Sequence, residues 1–157
     1  MPAFETMRGQ RAVADPAALD AALLAAVGAS PADTRPNCVG SETYASSGRH
    51  SSWLALRLAP DELFVIGAGQ LGAPDLAIPG DAHALVVDEA GFSGCWVSWA
   101  EYERVVAPHV EWRLPSQRPG LGQGRVAGVP AKVWCTVDAV LVLTNTAYVH
   151  DLQERLV

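Results

Sequence analysis

Trp53–Ile66 reads WLALRLAPDELFVI, and this stretch decides the fold class. Two apolar runs, Trp53–Leu58 and Leu63–Ile66, flank Ala59-Pro60-Asp61-Glu62. Proline presets the φ of a turn and aspartate bonds to nearby backbone, so the three parts together predict a β-hairpin. Before the hairpin, Asp15-Pro16 opens a helix: the aspartate caps free amides, and proline at the first helical position loses no hydrogen bond. Leu19, Ala22, Leu23, Ala26 and Val27 then recur at helical spacing, and Gly28 supplies the stop. Ala29–Ser52 is rich in Ser, Pro, Gly and Asn and reads as an irregular loop.

Beyond the hairpin, Ala84–Asp88 reads as a short buried strand and Gly94–Ser98 as another. Ser98-x-x-Glu101 is a capping box ahead of Trp99, Tyr102, Val105 and Val106, and Pro108 ends that helix. Val110–Leu114 reads as an extended piece followed by a Gly- and Pro-rich connector. Arg125–Val129 is a candidate strand, and Ala131–Cys135 with Ala139–Leu143 a second hairpin. Thr144 or Asn145 caps a last helix whose buried stripe is Tyr148, Val149, Leu152 and Leu156. This order is α+β, a single domain over 1–157 made of two halves, each a hairpin associated with a helix.

Composition narrows the function. The 157 residues are 50% hydrophobic and 18% charged, which excludes a disordered chain and suits one globular domain. Eleven basic residues against 17 acidic ones give a net charge of −6, and Lys132 is the only lysine. Such a chain has no row of cations for phosphates, so neither nucleic acid nor an anionic membrane surface is an expected partner. Cys38, Cys95 and Cys135 are too far apart for a C-x-x-C zinc site and too few for a disulfide framework. MPAFETMRGQ has no basic-then-apolar signal pattern, and the apolar runs at 21–27 and 139–143 are short for a bilayer. A cytoplasmic location is expected.

Gly67-Ala68-Gly69-Gln70-Leu71-Gly72 matches G-x-G-x-x-G after a strand, with Asp88-Glu89 where a ribose-binding carboxylate would stand. Pro79 and Gly80 would end the helix that such a motif needs, so a glycine-rich turn is the better reading. His109 and Glu111 would share one face of an extended piece and could pair as base and carboxylate. Asp88 and Glu89 would point to opposite faces. His50, His83 and His150 have no partner at metal-ligand spacing, no G-x-S-x-G elbow exists, and Cys95 reads as a buried, inert thiol. No catalytic group or metal site is nominated. The five tryptophans, Trp53, Trp96, Trp99, Trp112 and Trp134, suit either core packing or a partner surface.

Read in order, several segments resemble the gamma, or small, subunit of heterotetrameric sarcosine oxidases. They are Thr34-Arg35-Pro36-Asn37 after the first helix, Ala55–Val65, and His83-Ala84-Leu85-Val86-Val87-Asp88. Val126-Ala127-Gly128-Val129-Pro130-Ala131-Lys132-Val133-Trp134 and the closing helix with Tyr148 and Leu152 complete the series. The likeness spans about residues 15–157 and departs at Pro74 and Pro79, where that family has a regular helix. It implies a fold like the folate-binding domain of aminomethyltransferases. It also implies a non-catalytic accessory subunit of a flavin-dependent, folate-linked oxidase of a secondary N-methyl amine. Larger partner chains would then carry FAD, FMN, NAD and tetrahydrofolate, and this chain alone would bind none of them. The alternative is a stand-alone folate-binding or one-carbon-transfer enzyme of the same fold, with Asp88, His109 and Glu111 as candidate cofactor-binding residues.

Overall fold

The computed structural model describes residues 2–27, 54–67, 77–116 and 118–157. The chain forms two compact units, Arg8–Glu89 and Met1–Met7 with Ala90–Val157. The boundaries fall inside two strands, β1 (Glu5–Val13) and β4 (Leu85–Ser98). The paired strands described within each unit run antiparallel.

In the Arg8–Glu89 unit, β2 (Leu54–Ala59) and β3 (Glu62–Ile66) form the expected hairpin around Pro60-Asp61. Leu54 faces Ile66, Leu56 faces Phe64, and a bulge between Arg57 and Ala59 brings Ala59 opposite Glu62. The other edge of β3 is occupied by β1, with Gly9 opposite Ile66 and Val13 opposite Glu62. Residues 5–13 gave no strand signal, because ETMRGQRAV lacks clean apolar alternation. Close approach explains its glycine: a Cβ on Gly9 would lie 2.0 Å from the Val65 carbonyl oxygen.

Helix α1 (Pro16–Val27) begins where Asp15 and Pro16 predict. Asp15 Oδ1 accepts from the amides of Ala17 and Ala18 at 2.9 and 3.3 Å. Leu19, Ala22 and Leu23 are buried. The side chains of Ala26 and Val27, and Gly28, lie outside the described residues. Buried Arg57 ties this helix to the hairpin, its Nη2 lying 3.1 Å from both Asp20 Oδ1 and the Pro16 carbonyl. Asp81 accepts from the Asp15 amide through Oδ2 and from the His83 amide through Oδ1, each at 2.8 Å.

In the other unit, β4 pairs with β7 (Ala139–Asn145), β7 with β6 (Val129–Cys135), and β6 with β5 (Gly120–Val126). One face carries Cys95, Val97, Ala131, Val133, Cys135, Val140 and Val142 into a core with Tyr102, Val106, Leu152 and Leu156. Ser98 Oγ caps α2 (Trp99–Glu101) by accepting from the Glu101 amide at 3.2 Å. The helix then widens to a π turn over Tyr102–Val106 and tightens to a 3-10 turn over Ala107–His109. Asn145, one of the two expected caps, accepts from the Ala147 amide at 2.9 Å ahead of a 3-10 turn and α3 (Val149–Arg155).

Five expectations need correction. The two short strands at 84–88 and 94–98 are one 14-residue strand, β4. Its first half is not buried, since Leu85 is 57% exposed. Arg125–Val129 is not one strand: Arg125 and Val126 end β5, Val129 begins β6, and Ala127 and Gly128 at φ 52° and 78° turn between them. The connector before it contains β5, whose three alternating glycines hid it. Tyr148 is 44% exposed and so does not belong to the buried stripe of the last helix.

Candidate functional site

Asp88 is exposed on β4 in the Arg8–Glu89 unit. His109 and Glu111 belong to the other unit and do not share a strand face. His109 closes the 3-10 turn, and its carbonyl accepts from the Ala127 amide at 2.8 Å. Glu111 follows Val110, whose contact with Val126 is an isolated bridge rather than part of a strand. A helical turn rotates His109 away from the alternation that an extended chain would give. The Gly67 amide donates to the Arg8 carbonyl at 3.3 Å. The rest of the G-x-G-x-x-G stretch, the Thr34–Asn37 segment, Cys38, His50, Trp53 and the serines at 46, 47, 51 and 52 lie outside the described residues.

His83 is part of the Asp81 turn, and exposed His150 pairs with Glu154 at 3.2 Å one helical turn away. Among the described residues no group of three or more His, Cys, Asp or Glu side chains could hold a metal ion. None of the described helices is long and apolar enough to cross a membrane. Cys95 and Cys135 are unpaired and buried, and burial pushes both thiols above their ordinary pKa. Burial also pushes the Tyr102 phenol up to about 12, with the adjoining Cys135 adding to the rise and Arg118 opposing it. These are protonated core groups, poorly suited to nucleophilic or acid–base work near neutral pH.

The tryptophans divide by what they touch. Trp134 is fully buried, and its Nε1 finds no acceptor among the described residues. Trp112 lies over Gly122 and Gly124 and donates from Nε1 to the Arg125 carbonyl at 2.9 Å. Trp99 donates to the carbonyls of Thr136 and Val137, both at 3.1 Å. The Tyr102 ring meets it edge-on at 5.6 Å, and the Arg118 guanidinium lies 4.8 Å above it. All three tryptophans knit their own unit together.

Trp96 differs. Its neighbours Cys95 and Val97 point into the core, so strand alternation sends Trp96 to the opposite face, where it remains 48% exposed. Across that face the register aligns Trp96 with Leu141, Leu141 with Trp134 and Trp134 with Leu121. The last three are buried, and Trp96 is the open end of an apolar row. Phe92, on the same face, is half-buried beneath the Lys132 ammonium at 5.2 Å. At the same end of the strands, the turn between β6 and β7 exposes Val137 to 74%. Five tryptophans in a sequence do not say which is outward. Alternation along β4 separates Trp96 from Cys95 and Val97, and the helical residues packed on Cys95 and Val97 make Trp96 the outward one.

The described site is therefore a candidate interaction surface on an α+β protein built from antiparallel strands. A solved structure of the heterotetrameric sarcosine oxidase from Corynebacterium sp. U-96, in complex with pyrrole 2-carboxylate, contains a chain of similar fold. The TM-score is 0.67 and the identity 18%, with 98% of this chain and 79% of that chain covered. No protein-family profile matches the sequence, and neither does any curated protein.

Proposed function

We propose that this chain is an accessory subunit of a sarcosine oxidase-like complex, standing where the gamma subunit stands in the heterotetrameric enzymes. The observation that carries the reading is the fold likeness to a chain of such an enzyme over 98% of this sequence. The residues agree with it, since the conspicuous outward groups are apolar rather than catalytic. In this reading the substrate is a secondary N-methyl amine of the sarcosine type. Larger partner chains hold the flavins, NAD and tetrahydrofolate, and this chain packs against them and helps hold the assembly together. Asp88, His109 and Glu111 take no catalytic role, and the single 1–157 domain resembles the folate-binding aminomethyltransferase fold in architecture alone.

Affinity purification of the tagged chain from its own cells, followed by native mass and a visible absorption spectrum, tests the proposal. The expected product is yellow, far heavier than 16.6 kDa, and turns over an N-methyl amino acid with formation of an aldehyde or a methylene-folate. A colourless species of 16.6 kDa, or a homodimer of it, would overturn the reading.

A further inference from the structure

We infer that the β5–β6 turn of the Ala90–Val157 unit is a carboxylate-binding contact, where Arg125 and Arg155 take Asp or Glu side chains of a partner protein chain. The inference rests on the accessory-subunit reading and adds a place of contact and the chemistry of the group received. Ala127 and Gly128 turn between the strands, and three segments converge on them. The Ala127 amide donates to the His109 carbonyl at 2.8 Å. Arg155 Nη1, from the end of α3, donates to the Ala127 carbonyl at 3.0 Å, and Arg125 Nη1, from β5, to the Gly128 carbonyl at 3.3 Å. Ala127 holds φ at 52°, a conformation that alanine rarely takes and that persists where its surroundings fix it. Two guanidiniums are thereby held on consecutive carbonyls, so less of their freedom remains to be lost on binding.

Charge decides what the pair receives. Both arginines are exposed, and neither forms an ion pair among the described residues. Arg11 and Arg57, by contrast, are paired with Glu62 and Asp20. The charged residues on the converging segments are Glu111 and Arg113 beyond His109, and Asp151 and Glu154 on α3. Glu154 is engaged by His150 at 3.2 Å, and neither Glu111 nor Asp151 pairs with the two arginines. Lys132 adds a positive charge on the strand face that carries Arg125, its ammonium over the Phe92 ring. Like charges drawn to one turn repel, and an anion received between them relieves that repulsion. The guanidinium fork matches a carboxylate with two parallel N–H bonds. Exposed groups at a hairpin turn suit a macromolecular surface, whereas small ligands are held in concave sites. A chain of net charge −6 repels an acidic surface elsewhere, so this turn sets where such a surface lands.

The test uses the assembly isolated through the tagged full-length chain. Lys132 is the only lysine, so a Lys132→Arg chain has no side-chain amine, and adding Arg155→Lys places one at the turn with its charge kept. Zero-length carbodiimide coupling should then join position 155 to an Asp or Glu of a co-purifying chain, identified by peptide mass. Arg125→Gln with Arg155→Gln should lower retention of the larger chains about tenfold at low salt and flatten the salt dependence of retention. Arg125→Lys with Arg155→Lys disturbs the same carbonyl bonds but keeps both charges, and should retain several times more than the Gln pair. Full retention by the Gln pair, or equal losses in the Gln and Lys pairs, would overturn the contact and leave the accessory-subunit reading standing. Coupling that reaches only carboxylates of this chain would do the same. A wild-type chain that brings down no larger chains would overturn both.

Discussion

Gly122 and Gly124 show how a single side chain can settle the fate of a strand. A Cβ on Gly122 would lie 2.3 Å from the Trp112 ring, and one on Gly124 would lie 2.3 Å from its Nε1. The indole covers backbone that any larger residue would push it away from, and its N–H holds the Arg125 carbonyl on the same strand. Gly124→Ala should therefore destabilise the protein by about 1–3 kcal/mol, the usual range for overpacking. Trp112→Phe in the same chain should recover part of that loss by freeing space. A urea titration of the two single variants and the double variant reads the coupling. Additive losses would show that the indole does not rest on the glycines.

The buried thiols make a second prediction at this scale. In a Cys38→Ser background, native protein should give almost no reaction with a thiol reagent at pH 8, and two thiols after denaturation. Burial raises the pKa of both Cys95 and Cys135 and withholds the reactive thiolate. A raised folded-state pKa stabilises the native state fully below the unfolded value and is lost as pH rises through the folded one. For Tyr102 that window runs from the ordinary 10.0 to about 12, so alkaline unfolding should release the phenol and the thiols together. Rapid native labelling at pH 8 would contradict this account.

Among the elements, α1 depends on one buried cation. Arg57 sits on β2 with its guanidinium against Asp20 and the Pro16 carbonyl of the helix. Asp20 is partly exposed, so Asp20→Asn should cost less than the full penalty of breaking a buried pair, about 1–2 kcal/mol. Arg57→Ala removes both helix contacts and the packing of the long stem, and should cost more, about 3 kcal/mol. Thermal melts of the two variants test the order, and equal losses would mean that the ion pair rather than the stem dominates.

The same scale explains what could be read from the residues and what could not. Hairpin β2–β3, the Asp15 cap and the Ser98–Glu101 cap were legible because each signal is local: a Pro-Asp turn, or a side chain bonding an amide two or three residues away. β1 and β5 were not. Their glycines are explained by partners distant in sequence, Val65 for Gly9 and Trp112 for Gly122 and Gly124. His109 and Glu111 looked like one strand face until the helix after Ser98 proved to run on through Pro108 to His109. Trp96 was visible on the strand read at Gly94–Ser98, but which face of that strand is the core depended on the helical residues packed against Cys95 and Val97. The Thr34–Asn37 part of the family resemblance falls outside the described residues, whereas Ala55–Val65 falls on the β2–β3 hairpin and Val126–Trp134 on the turn from β5 into β6.

At the scale of the whole chain, the first residues complete a unit whose remainder lies more than 80 positions later. Pro2 is buried and its carbonyl accepts from Gln153 Nε2 at 3.3 Å. Phe4 packs on the core that contains Leu152 and Leu156, and the Met7 methyl approaches Gly94 so closely that a Cβ there would be 2.7 Å away. Arg8–Glu89 is a continuous piece of sequence, but the other unit is not, because the chain leaves it within β1 and returns to it within β4. Residues 1–7 should thus act as a strand and plug for Ala90–Val157 rather than as a dispensable tail. Truncation to begin at Arg8 should lower stability by about 2–4 kcal/mol, the scale of losing a few buried apolar side chains. It should also expose the amides of α3 first, because the Gln153 and Phe4 contacts fall on or beside that helix. Hydrogen exchange measured on both chains would show faster exchange concentrated at residues 149–156. Uniform exchange and an unchanged unfolding midpoint would mean that Ala90–Val157 closes its own core, and the long-range contacts of Pro2, Phe4 and Met7 would then carry no stability.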